Sequence, residues 1–212
     1  MTVIHPQLPP SRAGSLPLVG GVLALDFANT ESGRGTDQHQ NHLRDAENVA
    51  DWIAHASLWA ADDVERLRAE LAASPERGAD LLTSALALRS AIQDVGAAIA
   101  AEAPPPAAGL KTLASLHARF LLRASLVAAK GACRWAWSVE ASPIEAALGP
   151  IALSAVKLFS EGDFSRIKRC DGHACGWLFC DATKNNRRRW CEMEVCGNRA
   201  KQKRLAARRR GG

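Results

Sequence analysis

The sequence predicts a mainly α (α+β) chain: a helical N-terminal body with a small β-sheet, joined to a small C-terminal appendage organised by cysteines. Three observations lead there. Apolar residues recur at helical spacing through most of residues 45–130 and again through 144–159. A period of two appears in "CRWAWSVE" at 133–140. Five of the six cysteines fall between Cys170 and Cys196.

At 212 residues the chain exceeds one ordinary domain and falls short of two large ones, which suits a main domain with an appendage. Charge marks the boundary. From Arg166 to Arg210 fourteen Lys and Arg face four Asp and Glu, a formal +10, whereas the remaining residues hold thirteen against eighteen, or −5. Two bodies with opposite electrostatic roles are expected, an acidic scaffold or sensor and a basic part that meets a polyanion. The expected boundaries are a flexible Pro-rich arm at 1–15, a helical sensor domain at 16–163, and a cysteine-rich module with a basic tail at 164–212.

The apolar run "LPLVGGVLAL" at 16–25 has about the length of a secretion-signal core. It lacks a dense basic start and an A-x-A exit and runs into Asp26, so a cytoplasmic protein is expected. No stretch reads as the roughly 18 apolar residues of a membrane span. Clustered thiols in such a protein point to a metal rather than to disulfides.

Along the chain, "LVGGVLALDFANT" reads as a turn at Gly20 and Gly21 followed by a buried strand, Val22 to Ala28. A Gly-rich polar loop, "ESGRGTDQHQN", follows. Val49, Trp52, Ile53 and Ala56 then fall at helical spacing behind Asp45 as N-cap. A second helix is signalled by Asp62 as cap with Val64, Leu67 and Leu71. A third runs from Gly78 to Ala101 and is ended by Pro104 to Pro106, since proline lacks the N–H a helix needs. A fourth is expected over Leu110 to Lys130. In 133–140, Cys133, Trp135, Trp137 and Val139 share one face, a half-buried strand expected to pair with Val22 to Ala28. A fifth helix covers Ile144 to Phe159.

The cysteines are spaced Cys170-x4-Cys175-x4-Cys180-x10-Cys191-x4-Cys196. Zinc takes four tetrahedral ligands in a closed structural site, and thiolates two to four residues apart reach one ion from a single turn. Between Cys170 and Cys175 lies the polar turn "DGHA"; between Cys175 and Cys180 lies the apolar, strand-like "GWLF". Cys170 with Cys175 and Cys191 with Cys196 therefore form the two knuckles of one structural Zn²⁺ site, and Cys180 is the odd thiol. His173 then finds no vacancy and reads as a turn residue. Zinc is preferred to an iron–sulfur cluster because paired knuckles around a hairpin suit a tetrahedral ion. A segment of this size has too small a core to fold alone, so metal supplies much of its folding free energy.

The pattern C-x4-C-GWLF-x-D followed by RRRWC-x-M-x-x-CGNRAK, over roughly Arg166 to Arg204, resembles the CGNR zinc finger, and the resemblance places its ligands on the same four cysteines. "GGVLALDFANT" at 20–30, "NVADWIAHASL" at 48–58 and "LRSAI" at 88–92 are similar to the ABATE domain, the usual N-terminal partner of this finger in stress-induced bacterial transcription regulators. The sequence departs from the finger's usual pattern at Cys180, where an aliphatic residue is common, and at "ATKNN" beside Lys184.

Arg187, Arg188 and Arg189 sit between the knuckles, and Asn198, Arg199, Lys201, Lys203 and Arg204 continue from the last cysteine in a helical run. A metal-anchored hairpin followed by a basic helix is a treble-clef-like arrangement that presents cations to phosphates, so these eight residues are the candidate nucleic-acid contacts, with DNA favoured over RNA. Asn198 and Arg199 have an equal structural reading, capping a helix or hydrogen-bonding the sulfurs. Trp177 and Trp190 read as the finger's small core. The leading expectation is a regulator whose body senses a small-molecule effector or stress signal. The alternative is a zinc-stabilised protein-docking module with Cys180 as a redox thiol. Four thiolates close the metal's coordination sphere, and Asp26, His39, His42 and His55 form no recognisable constellation, so no enzymatic activity is expected. A ligand cleft could be lined by the 22–28 and 133–139 segments, Trp135, Trp137 and the loop at 31–41.

Overall fold

The computed structural model describes residues 10–210, with the side chain of Arg210 left undescribed. Among these residues seven α-helices are accompanied by three two-stranded antiparallel sheets. The helices are α1 (Leu23–Ala28), α2 (Ala46–His55), α3 (Ala61–Ala73), α4 (Pro75–Ala100), α5 (Ala107–Leu121), α6 (Pro143–Glu161) and α7 (Asn198–Arg210). The strands are β1 (Glu31–Ser32) with β2 (Gln40–Asn41), β3 (Ala124–Ala129) with β4 (Ala132–Trp137), and β5 (Ile167–Arg169) with β6 (Leu178–Cys180).

The run Val22 to Ala28 is a helix and not the expected strand. Ala24, Leu25, Phe27 and Ala28 are all fully buried, so α1 is enclosed on most sides by α4, α6 and β6 and needs no polar face. A short run that is apolar but for Asp26 carries no period that separates a buried strand from a buried helix. Asp26 accepts the Gly20 N–H at 2.7 Å, which fixes the turn leading into α1.

Asp45 caps α2 by accepting the Asn48 N–H, as the sequence indicates. The residue at the start of α3 is Ala60, and Asp62 lies one position inside the first turn, where its charge suits the helix dipole without making the cap bond. Pro75 occupies the first turn of α4, a position where its missing N–H costs nothing. The helix expected to reach Lys130 stops at Leu121. Lys130 and Gly131 take left-handed backbone, with φ of 31° and 81°, and this two-residue turn folds Ala124–Ala129 back onto Ala132–Trp137. β4 therefore pairs with its own sequence neighbour, and the expected pairing with 22–28 does not exist.

The arm expected at 1–15 is ordered in its described part. Ala13 is buried, and the Ser11 hydroxyl donates to the His42 carbonyl at 2.8 Å. Residues 1–9 lie outside the described residues. The helix α6 meets the length and hydropathy of a membrane span, contrary to the sequence reading, with a mean hydropathy of 1.2. Its buried residues, Ile151, Ala152 and Ala155 among them, belong to the body's core, which accounts for that apolarity.

The core gathers one face of each of α2 to α6 around α1, with Phe27 and Trp52 in an edge-to-face contact 4.9 Å between centroids. It does not end at the domain boundary. Leu178 of β6 is fully buried in this same core against Gly96 of α4, where an added Cβ would come within 2.6 Å of the leucine Cδ1. Burying that one side chain is worth about 2 kcal/mol.

Candidate metal centre and basic helix

The first knuckle is the turn at 170–176. Cys170 N–H donates to the Trp177 carbonyl at 2.8 Å and Cys175 N–H to the Gly172 carbonyl at 3.0 Å. Gly172 is required by close approach, because a Cβ there would stand 3.1 Å from Cys196 Sγ and 3.3 Å from Cys170 Sγ. The second knuckle, Cys191 to Cys196, closes through the Cys196 N–H bond to the Glu192 carbonyl at 3.0 Å. A wide turn at 193–197 then delivers the chain into α7. Gly197 lies directly beneath the Met193 thioether, which leaves no room for a side chain.

These two turns bring Cys170, Cys175, Cys191 and Cys196 together, with all four sulfurs within 4.8 Å of one another. Cys191 Sγ lies 3.7 Å from Cys175 Sγ and 3.6 Å from Cys196 Sγ. A tetrahedral zinc with bonds of about 2.3 Å requires sulfurs about 3.8 Å apart, so the donor set fits one structural Zn²⁺. The thiols' electrostatics agree. Cys170 is drawn down to about 2 by S–H donation from Cys175 and Cys191, whereas Cys175 is pushed up to about 12 because ionising it would forfeit its bond to Cys170. Cys191 is raised chiefly for the same reason, and Cys196 chiefly by burial. Without a cation the cluster resists full ionisation, and a dication is the natural partner for four thiolates. Phe179, Trp177 and Trp190 pack against the cysteines as the finger's small core.

Cys180 stands apart from the cluster. It packs at the margin of the body's core, and burial pushes its thiol up, which opposes the easily ionised state a redox sensor uses. His173 is exposed on the first turn.

The eight candidate nucleic-acid residues fall into two groups. Arg188 turns inward: its guanidinium stacks over Phe179 at 4.3 Å and donates to the carbonyls of Trp190, Val19 and Cys191. It is structural glue between knuckle and body. Arg187 is exposed. Arg189 is also exposed, pairing with Asp171 at 2.7 Å and lying over Trp190. Asn198 donates its side-chain amide to the Glu194 carbonyl at 2.9 Å, one of the structural roles open to it. Arg199, Lys201, Lys203 and Arg204 are all exposed on α7. Between α7 and the first knuckle a groove of about 820 Å³ is lined by Arg189, Arg199, Lys203 and Arg204, with His173 at its edge.

The sequence reading missed the residues that join finger to body. Asn29, 1% exposed, accepts the Leu178 N–H at 2.8 Å and donates to the Leu178 carbonyl at 2.9 Å, so its amide satisfies β6 as a neighbouring strand would. The Gly33 N–H donates to the Cys175 carbonyl and the Cys180 N–H to the Gly20 carbonyl, both at 2.8 Å. Asp181 is fully buried; burial opposes its ionisation, but bonds from the Thr183 hydroxyl and the Thr183 and Arg188 N–H groups prevail and hold its carboxyl below the usual range. The polar "NT" and "D" inside apolar runs were the only signals, and their partners lie far away in sequence.

Asp26, His39, His42 and His55 are each engaged in separate local contacts. His39 meets Glu31 at 2.7 Å, His42 Nδ1 accepts the Arg12 N–H at 3.3 Å, and His55 Nε2 bonds the Leu16 carbonyl at 2.6 Å.

Comparison with known families fits this architecture. Residues 166–209 match the CGNR zinc finger, and residues 21–162 match ABATE, a family described as "Putative stress-induced transcription regulator". No curated protein matches the chain. With two thirds of its length in that match and the four-thiolate finger following it directly, the chain belongs to the ABATE family and carries a C-terminal CGNR zinc finger.

Proposed function

We propose that this protein regulates transcription by binding DNA through the zinc-anchored finger, with the N-terminal body sensing a ligand or stress signal. The observation that carries the reading is the cationic groove beside α7. Arg199, Lys203 and Arg204 line it without an ion-pair partner among the described residues, and Asp171 and Gly172 of the first knuckle line its opposite wall. A phosphate backbone is the polyanion that such a row of cations fits. Arg189, paired with Asp171, lines the same groove, and Arg188 supports it from within; Arg187 and Lys201 are exposed but outside its lining.

The docking of β6 into the body's core supports coupling between the two parts, since a change in the packing around Leu178 reaches the metal turn in a few residues. The test is a salt-titrated binding assay on the zinc-loaded protein with duplex DNA. With about six phosphate contacts, log K falls against log salt with a slope near −5. Arg199→Ala combined with Lys203→Ala should flatten that slope by about 2. A slope near zero, or a slope the double variant leaves untouched, would exclude this surface as the DNA contact.

A further inference from the structure

Deepening the reading of the body as a sensing domain, we infer that the cleft between the β3–β4 hairpin and α6 binds a small aromatic monocarboxylate. The cleft holds about 820 Å³, within the range of small-molecule sites. It lies on the body, built by different residues from the groove beside α7. Three tryptophans, Trp59, Trp135 and Trp137, line it together with Leu153 and Leu158. Trp137 is fixed in place: its indole N–H donates to the Phe120 carbonyl at 2.8 Å, and its ring lies against Gly149 of α6, where no side chain fits. Trp135 is 38% exposed, and Leu126, its cross-strand partner, is 59% exposed, so the apolar wall continues beyond what the fold itself covers. The loop at 31–41, once a candidate wall, lies at the finger instead, with Gly33 bonded to Cys175.

The charge of the occupant follows from the ionic groups at the rim. These are Arg134, Lys157, Asp63 and Glu161. Asp63 is already paired with Arg66 at 3.3 Å. Arg134 and Lys157 have no ion-pair partner among the described residues, and neither has Glu161. Two free cations against one free carboxylate leave a single uncompensated positive charge over an aromatic wall. A planar apolar body with one carboxylate complements both features: its ring stacks on indole and its anion meets Lys157.

The experiment is isothermal titration calorimetry of the zinc-loaded full chain with 1-naphthylacetate and, separately, with the neutral alcohol 2-(1-naphthyl)ethanol. The expected result is saturable binding at one site that favours the carboxylate. Lys157→Gln should weaken the carboxylate about fivefold and leave the alcohol unchanged, the size expected of a part-exposed ion pair. Trp135→Ala should weaken both. Both positions are exposed, so neither change threatens the fold. Equal affinity for the two probes with no effect of Lys157→Gln overturns the inference, as does the absence of saturable binding by either. DNA affinity measured on the same samples with and without 1-naphthylacetate separates the two ideas: an unchanged DNA affinity removes the sensing role, while calorimetry alone decides the cleft.

Discussion

At the residue scale, neighbouring arginines of one basic run do unrelated work. Arg188 satisfies three backbone carbonyls and caps the Phe179 ring, so Arg188→Ala leaves part-buried acceptors to water and should cost about 1–2 kcal/mol in denaturant unfolding. Arg187→Ala removes an exposed cation and should change stability by less than about 0.5 kcal/mol, yet reduce the DNA salt slope by about 1. A pH effect also belongs to one residue. Burial, reinforced by Arg12, Arg44 and Arg89, holds His42 below the ordinary imidazole value, so the unfolded chain takes up the proton first. The stability this group contributes is present above about pH 6.5 and declines as pH falls below it. His42→Asn keeps an acceptor for the Arg12 N–H without titrating. Melting temperatures between pH 7.5 and 5.5 should therefore fall less steeply in the variant than in the parent; His117, also lowered by burial, leaves some slope in both.

At the scale of elements, the finger's hairpin shows how a small metal module gains stability from its host. β5 and β6 are three residues each, too short to persist alone. The cysteine cluster fastens the turn between them, Asn29 and the Gly96 surface hold Leu178 at that same end, and the Gly20 carbonyl accepts the Cys180 N–H at the other. Zinc removal by a strong chelator should therefore raise amide hydrogen exchange across 168–180 and 191–197, and also in α4 around Gly96, where Leu178 seats. Exchange that rises in the finger while α4 stays unchanged would mean that the Leu178 contact persists without metal. The same scale explains the sequence reading's errors. α2, α4 and α6 were legible because their apolar stripes are long and periodic. α1 and β3 were not: a six-residue run that is apolar but for Asp26 fits either a buried helix or a strand, and Ala124–Ala129 became a strand only because the 130–131 turn offered it a partner.

At the scale of the whole molecule, the opposite charges of the two parts suggested two bodies with opposite roles, and Leu178 of the basic part is packed into the core of the other. A chain ending at residue 165 would lose Leu178 from that core and leave the Asn29 amide buried without its partners. We expect such a body to be less stable than the full protein by about 3 kcal/mol or more, measured by chemical denaturation. Equal stability would restore the picture of separable domains.

The sequence by itself determined the helical class of the body, the four cysteines of the zinc site and the basic character of the last helix. Each of these is local: a period along one helix, a spacing within one turn, or a count of charges. Tertiary structure alone decided that Arg188 turns inward onto Phe179 and three backbone carbonyls, that Asn29 completes a strand 149 residues away, and that Trp135 and Trp137 line a cleft beside α6. Those outcomes depend on which distant surfaces meet. Burial and hydrogen-bond satisfaction are properties of the assembled core, and no window of sequence contains both partners.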